Sequence, residues 1–219
     1  MQDINEESTQ PSPEQRESDA ASGQAPVPVT RVKAGAAPIV QDGLGDAVAI
    51  LRRGGLVAVP TETVYGLGAD ARNAAALARL YKVKGRPGTH PVIVHIADAE
   101  GINEWAREIP DYARALAARF WPGPLTLIAE RRPESSVAEL ACAGLSTIAL
   151  RAPAHPLARE LLVAFGKPIA APSANRSGHI SATTAQHAAD DLGAAVDVVL
   201  DGGAAPLGLE STIVAIAPD

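Results

Sequence analysis

The chain has 219 residues with 47% hydrophobic but only 3% aromatic side chains, a composition that suits one α/β domain built on Ala, Val, Leu and Ile and argues against a base-stacking platform. Its lone cysteine, Cys142, excludes an internal disulfide and any multi-cysteine metal site. The net charge of −6 excludes little, because Asp3, Glu6, Glu7, Glu14, Glu17 and Asp19 against Arg16 concentrate it in the first 30 residues and leave a nearly neutral body.

Residues 1–36 are rich in Glu, Gln, Ser, Pro and Ala and read as a disordered acidic tail, with the folded domain expected over 37–219. The N-terminus has neither a signal peptide's apolar segment nor a transit peptide's basic bias, and no apolar run approaches the roughly 20 residues of a membrane span. A cytoplasmic protein with no membrane partner is the expectation.

From there the punctuation is regular. Asp42 is the expected cap of a helix whose Leu44, Ala47, Val48 and Leu51 share a face, and Gly54-Gly55 ends it before the strand "LVAVP". "PTETVYGLGAD", residues 60–70, follows as either a plain connection or a polar ligand turn supplied with Thr61, Glu62 and Thr63. Asn73 caps the next helix, with Leu77, Leu80 and Tyr81 at helical spacing, and "PVIVHI" is a short buried strand. Between them Lys82, Lys84 and Arg86 form a basic loop, which fits an anion clamp or a solvated helix end equally well. Taken singly, His90 and His95 read as structural histidines.

Further on, "DYARALAARF" reads as a helix and "PLTLIAE" and "STIALRA" as strands. Arg151 ends the second of these strands, where an unpaired guanidinium is costly, so it must meet a carboxylate, either a structural Glu or a ligand. "PLARELLVAFG" is a helix with Pro156 in its first turn and Gly166 beyond its end, and "PIAAPS" is a strand. The hydroxyl- and amide-rich loop "APSANRSGHISATT" leads to a helix with a Thr183/Gln186 capping box, and "VDVVLDGG" and "ESTIVAIA" close the chain as strands. Alternating elements with no internal repeat predict one three-layer α/β domain.

The phosphate fingerprints are missing, since Gly166-Lys167 runs into Pro168 and "GLGAD" lacks a third glycine. Nor is there an HExxH pair or a glycine-flanked nucleophilic serine. What remains is one threonine-rich turn, one basic loop, one hydroxyl loop and one strand-end arginine, which together suit a nucleotide and a small zwitterion.

"PTETVYGLGADA", "KGRP", "PVIVHI", "FWPGPLTLI", "LRAPAHP", "APSANRSG" and "DGG…ESTIV" occur in the order found in the YrdC-like threonylcarbamoyl-AMP synthases, and the chain from about residue 40 to 216 resembles that family. The resemblance implies a twisted mixed sheet flanked by helices around a deep, positively lined cavity. It also implies an enzyme, a nucleotidyltransferase, that joins L-threonine, bicarbonate and ATP, with Mg²⁺ on the polyphosphate, and releases pyrophosphate. The product would pass to a tRNA threonylcarbamoyl transferase complex. Carried over by position, Thr63, His95, Arg151, Ser211 and the backbone at Ala171 would surround threonine. Lys84 and Arg86 would be the catalytic cations, and His90, Thr147, Ser173, Asn175 and Ser181 would join them on ATP.

The resemblance leaves no metal site made of protein side chains alone. The sequence departs from the family's pattern in two places: His90 stands where an asparagine is common, and the 219 residues do not include an Arg-Pro-Gly element that many members carry after the final motif. Rival readings are an RNA-binding module of the same fold, whose affinity should fall steeply with salt, and a relative that makes another carbamoyl adenylate; the synthase reading expects only weak RNA binding.

Overall fold

The computed structural model describes residues 37–217; the tail expected over residues 1–36 lies outside the described residues. The described residues form ten strands and six α-helices. β1 is Ile39–Val40, α1 Leu44–Arg52, β2 Val57–Val59, β3 Gly66–Asp70, α2 Ala74–Lys84 and β4 Ile93–His95. Next come α3 Ile102–Trp105, β5 Ala106–Arg107, α4 Asp111–Phe120, β6 Leu125–Arg131 and, after a 3₁₀ turn, β7 Thr147–Arg151. α5 Pro156–Phe165, β8 Ile169–Ala170, α6 Ala185–Leu192, β9 Val198–Leu200 and β10 Thr212–Ala215 complete the domain.

Local chemistry explains most helix ends. Asn73 Oδ1 accepts from the amides of Ala75 at 3.0 Å and Ala76 at 3.1 Å, and α2 stops at Gly85, whose φ of 62° is left-handed. Arg86 N then reaches back to Tyr81 O at 3.1 Å, which turns the basic cluster sharply off the helix. α5 carries Pro156 at its start and left-handed Gly166 after its end, as its sequence predicts. Two expected caps are corrected. Gly43 rather than Asp42 holds the N-cap of α1, with no side-chain acceptor, and Asp46 supplies the first-turn negative charge. In α6 the extended residue is Thr184, whose hydroxyl accepts from His187 N at 3.2 Å, while Gln186 donates to Asp190 instead of closing a box.

The strands form one mixed sheet in the order β1-β9-β2-β3-β8-β4-β7-β6-β10, with β5 beside β6. β2 pairs parallel with β9 but antiparallel with β3, and β4 pairs parallel with β7 but antiparallel with β8. Side chains alternate across it. Val57, Val59, Val198 and Leu200 face a cluster with α1 and α5, while Ala58, Val199, Leu67, Val94, Leu127 and Leu150 face a second cluster with α2, α4 and α6. That makes the expected three layers. Patterning marks none of β1, β3, α3 and β5. β3 reads Gly-Leu-Gly-Ala-Asp, poor in β-formers, yet its glycines are what the sheet requires: a Cβ on Gly68 would stand 3.1 Å from Val57 O, and one on Gly66 would stand 3.2 Å from Ala171 Cβ. No helix among the described residues is long and apolar enough to cross a membrane.

Candidate active site

Three strand ends meet at one place. In the parallel pair of β4 and β7, His95 is in register with Arg151, and β8 lies antiparallel on the other side of β4. Beyond β8, Ala171 N donates to Ile93 O at 2.9 Å, and Ser173 bridges to Gly66. The turn after β2 folds over this junction, tied by its own hydroxyls, with Thr61 Oγ1 donating to Val64 O at 2.6 Å. The cavity there is lined by Thr61, Thr63, Val64, Gly66, Ile93, His95, Arg151, Ala171, Pro172, Ser173 and Glu210. Five predicted residues, Thr63, His95, Arg151, Ala171 and Ser173, thus share one wall.

Arg151 is buried and held three ways. Its Nε donates to Gly123 O at 3.2 Å, Nη1 to Thr63 Oγ1 at 2.9 Å and Nη2 to Glu62 Oε1 at 2.6 Å. The carboxylate that its strand position demands is Glu62. Thr61 spends its one hydroxyl proton on Val64 O, so in the 2.8 Å contact between the two threonines it is Thr63 that donates, which completes a chain from guanidinium to backbone. Burial, with Arg151 second, pushes the His95 imidazole down to about 3, so the ring is neutral at any ordinary pH.

Lys84 closes one side. Its ammonium donates to the carbonyls of Ser173 and, at 2.6 Å, of Asn175, which pins the end of α2 to the hydroxyl loop. Burial first, and Arg86 second, lower its pKa to about 8. Arg86 gives Nη2 to Pro91 O at 2.9 Å, while its Nε and the Oδ1 of Asn175 are buried with no partner among the described residues. A spare donor and a spare acceptor on predicted ATP residues fit a ligand that offers both kinds of group. Ser181 Oγ donates to Glu210 Oε1 at 2.6 Å, and Ser211 exchanges a 2.7 Å hydroxyl contact with Thr126.

Thr147 and His90, like Lys84, Arg86, Asn175, Ser181 and Ser211, lie outside the cavity lining. Thr147 opens β7 opposite Glu130, about 13 Å along the strand from Arg151 at the usual rise. His90 is exposed in the turn before β4, where its backbone N donates to Pro87 O at 3.2 Å and its carbonyl accepts from Tyr81 OH at 2.8 Å. The cavity measures about 30 Å³, room for one water. The described residues do not show the deep, positively lined cavity that the resemblance implies. A larger hollow of about 510 Å³ between α1 and α5 is mainly apolar and holds none of the predicted residues. Among the described residues no cluster of three or more His, Cys, Asp or Glu side chains is placed to hold a metal ion. Sequence reading missed the Gly123 carbonyl, whose only signal was its place in "FWPGPLTLI".

The sequence pattern of the Sua5/YciO/YrdC family, described as telomere recombination, matches residues 49–219. The chain belongs to the Sua5/YciO/YrdC family. Within it, the chain is 47% identical over 176 residues to the threonylcarbamoyl-AMP synthase of Bacillus subtilis, covering 80% of this chain and 51% of that protein. It is 40% identical over 173 residues to the synthase of Chromohalobacter salexigens, covering 78% of this chain and 91% of that one. Among solved structures it resembles Pyrococcus abyssi Sua5 complexed with L-threonine, with a TM-score of 0.76 and 46% identity over 79% of this chain and 50% of that one. The chain thus spans about half the length of several curated Sua5-type relatives it matches.

Proposed function

We propose that this chain is a threonylcarbamoyl-AMP synthase, a nucleotidyltransferase that converts L-threonine, bicarbonate and ATP into threonylcarbamoyl-adenylate, pyrophosphate and water. The observation that carries the reading is a buried arginine, a neutral histidine and a threonine hydroxyl on one wall, with the Lys84 ammonium bonded to the adjoining loop. Likeness to a family member solved with L-threonine supports it.

The roles follow from the chemistry. The threonine carboxylate meets Arg151, with Thr63, Ser211 and the backbone at Ala171 around the rest of the molecule. His95, being neutral, offers a hydrogen bond without a second positive charge. The amine attacks bicarbonate-derived carbon to give a carbamate, and a carbamate oxygen attacks the α-phosphorus as pyrophosphate leaves. Negative charge gathers on the phosphates, so Lys84 and Arg86 supply the stabilisation, with no protein nucleophile required. ATP enters with Mg²⁺ on its polyphosphate, as one substrate. Ser173, which lines the cavity, contacts the nucleotide, and Asn175, Ser181, Thr147 and His90, outside that lining, are assigned to it by resemblance.

The product is an activated acyl group for a tRNA threonylcarbamoyl transferase complex in the cytoplasm, and direct RNA binding is weak. Pyrophosphate release should need ATP, threonine and bicarbonate together. Release that persists when threonine is omitted overturns the proposal, and tight, steeply salt-dependent RNA binding favours the nucleic-acid reading instead.

A further inference from the structure

Glu62 is the one charged residue of the threonine-rich turn, and the proposed chemistry does not use it. Its side chain is 11% exposed and that of Arg151 4%. Both carboxylate oxygens are committed, Oε1 to Arg151 Nη2 at 2.6 Å and Oε2 to Ala154 N at 2.9 Å. Its own carbonyl accepts from Leu207 N at 3.0 Å, so one residue joins the end of β7, the loop entering α5 and the segment leading to β10.

Stability is a weak reason for such a pair, since a buried ion pair often does no better than apolar side chains of the same volume. What the arrangement does supply is orientation. A guanidinium has five N–H groups, and here three are used, on Nε, Nη1 and Nη2, which leaves one on each terminal nitrogen for a ligand. Glu62 is the only ionic partner among the three. We infer that Glu62 is the positioning residue for the amino-acid carboxylate: it fixes the Arg151 guanidinium so that its two remaining terminal N–H groups face the cavity. The inference rests on the synthase reading.

The opposite role, in which Glu62 occupies Arg151 until a substrate carboxylate displaces it, is disfavoured by the second bond. A displaced Glu62 would stay anchored at Ala154, buried and short of its cation, at a cost the incoming carboxylate would have to offset. The ligand therefore adds to the Glu62–Arg151 pair and does not replace it.

Glu62→Gln separates the two roles, because an amide of the same shape must aim its NH₂ at either Ala154 N–H or the guanidinium and so loses one bond. The KM for threonine should rise about tenfold or more, with the KM for ATP changed by less than about twofold. Calorimetric titration of L-threonine into the protein should weaken in parallel. If Glu62→Gln melts below the assay temperature, Glu62→Asp takes its place with the same expected direction. An unchanged or lower KM for threonine overturns the inference, as does an even loss across both substrates that tracks the melting temperature. Should the wild type release no pyrophosphate in response to threonine, the synthase reading falls, and the titrations still decide the role of Glu62. No threonine binding by the wild type overturns both.

Discussion

The charge on Lys84 gives the sharpest test of the proposed chemistry. Two of its three ammonium N–H groups go to the Ser173 and Asn175 carbonyls, so one remains for a phosphate oxygen. With its pKa lowered to about 8 by burial, and further by Arg86, Lys84 is mostly charged at neutral pH and mostly neutral one unit above its pKa. Titration theory then gives a fall of about tenfold in kcat/KM for ATP between roughly pH 7 and pH 9, since that ratio reports groups of the enzyme form that binds ATP.

The stability contribution of Lys84 has the opposite sign. Its folded pKa of about 8 lies below the ordinary 10.5, so the unfolded chain binds more protons between these values, and this contribution rises with pH across that window. Deprotonation of Lys84 thus lowers activity without destabilising the fold. The assay is pyrophosphate release at saturating threonine from about pH 6.5 to 9.5, for the wild type and for Lys84→Met, whose neutral side chain should flatten the alkaline limb. A wild-type profile with no limb in that range, or a limb retained in Lys84→Met, refutes the assignment.

Arg86→Ala should lower kcat/KM for ATP by about tenfold or more with little change in melting temperature, because among the described residues the Arg86 side chain makes one hydrogen bond, to Pro91 O. Lys84→Ala should lower the melting temperature as well, since it strips two carbonyls of their donor. Since His95 is held at about 3, the threonine kcat/KM profile should show no His95 inflection near the ordinary histidine value, and one that vanishes in His95→Asn would refute its neutrality. Gly202→Ala would place a methyl 2.6 Å from both His155 Cε1 and Pro60 Cγ, and thermal denaturation should show a loss of about 1–3 kcal/mol.

Sequence alone determined the features that a single turn of backbone decides. Asn73 and Gly85 bound α2 because a cap is satisfied within three residues, and Pro156 and Gly166 bound α5 for the same reason. The same locality made the neighbouring caps easy to misplace, as at Asp42 and Thr183, where the adjacent Gly43 and the extended Thr184 take the cap position. Apolar runs such as "PVIVHI" announced buried strands, but β3 stayed hidden because close sheet packing selects glycine there over β-formers. Sequence also required a carboxylate partner for Arg151, since burial of a lone guanidinium is costly at any address. Only the tertiary structure chose Glu62, 89 residues away, because the order β3-β8-β4-β7 brings the ends of those strands together under the turn after β2.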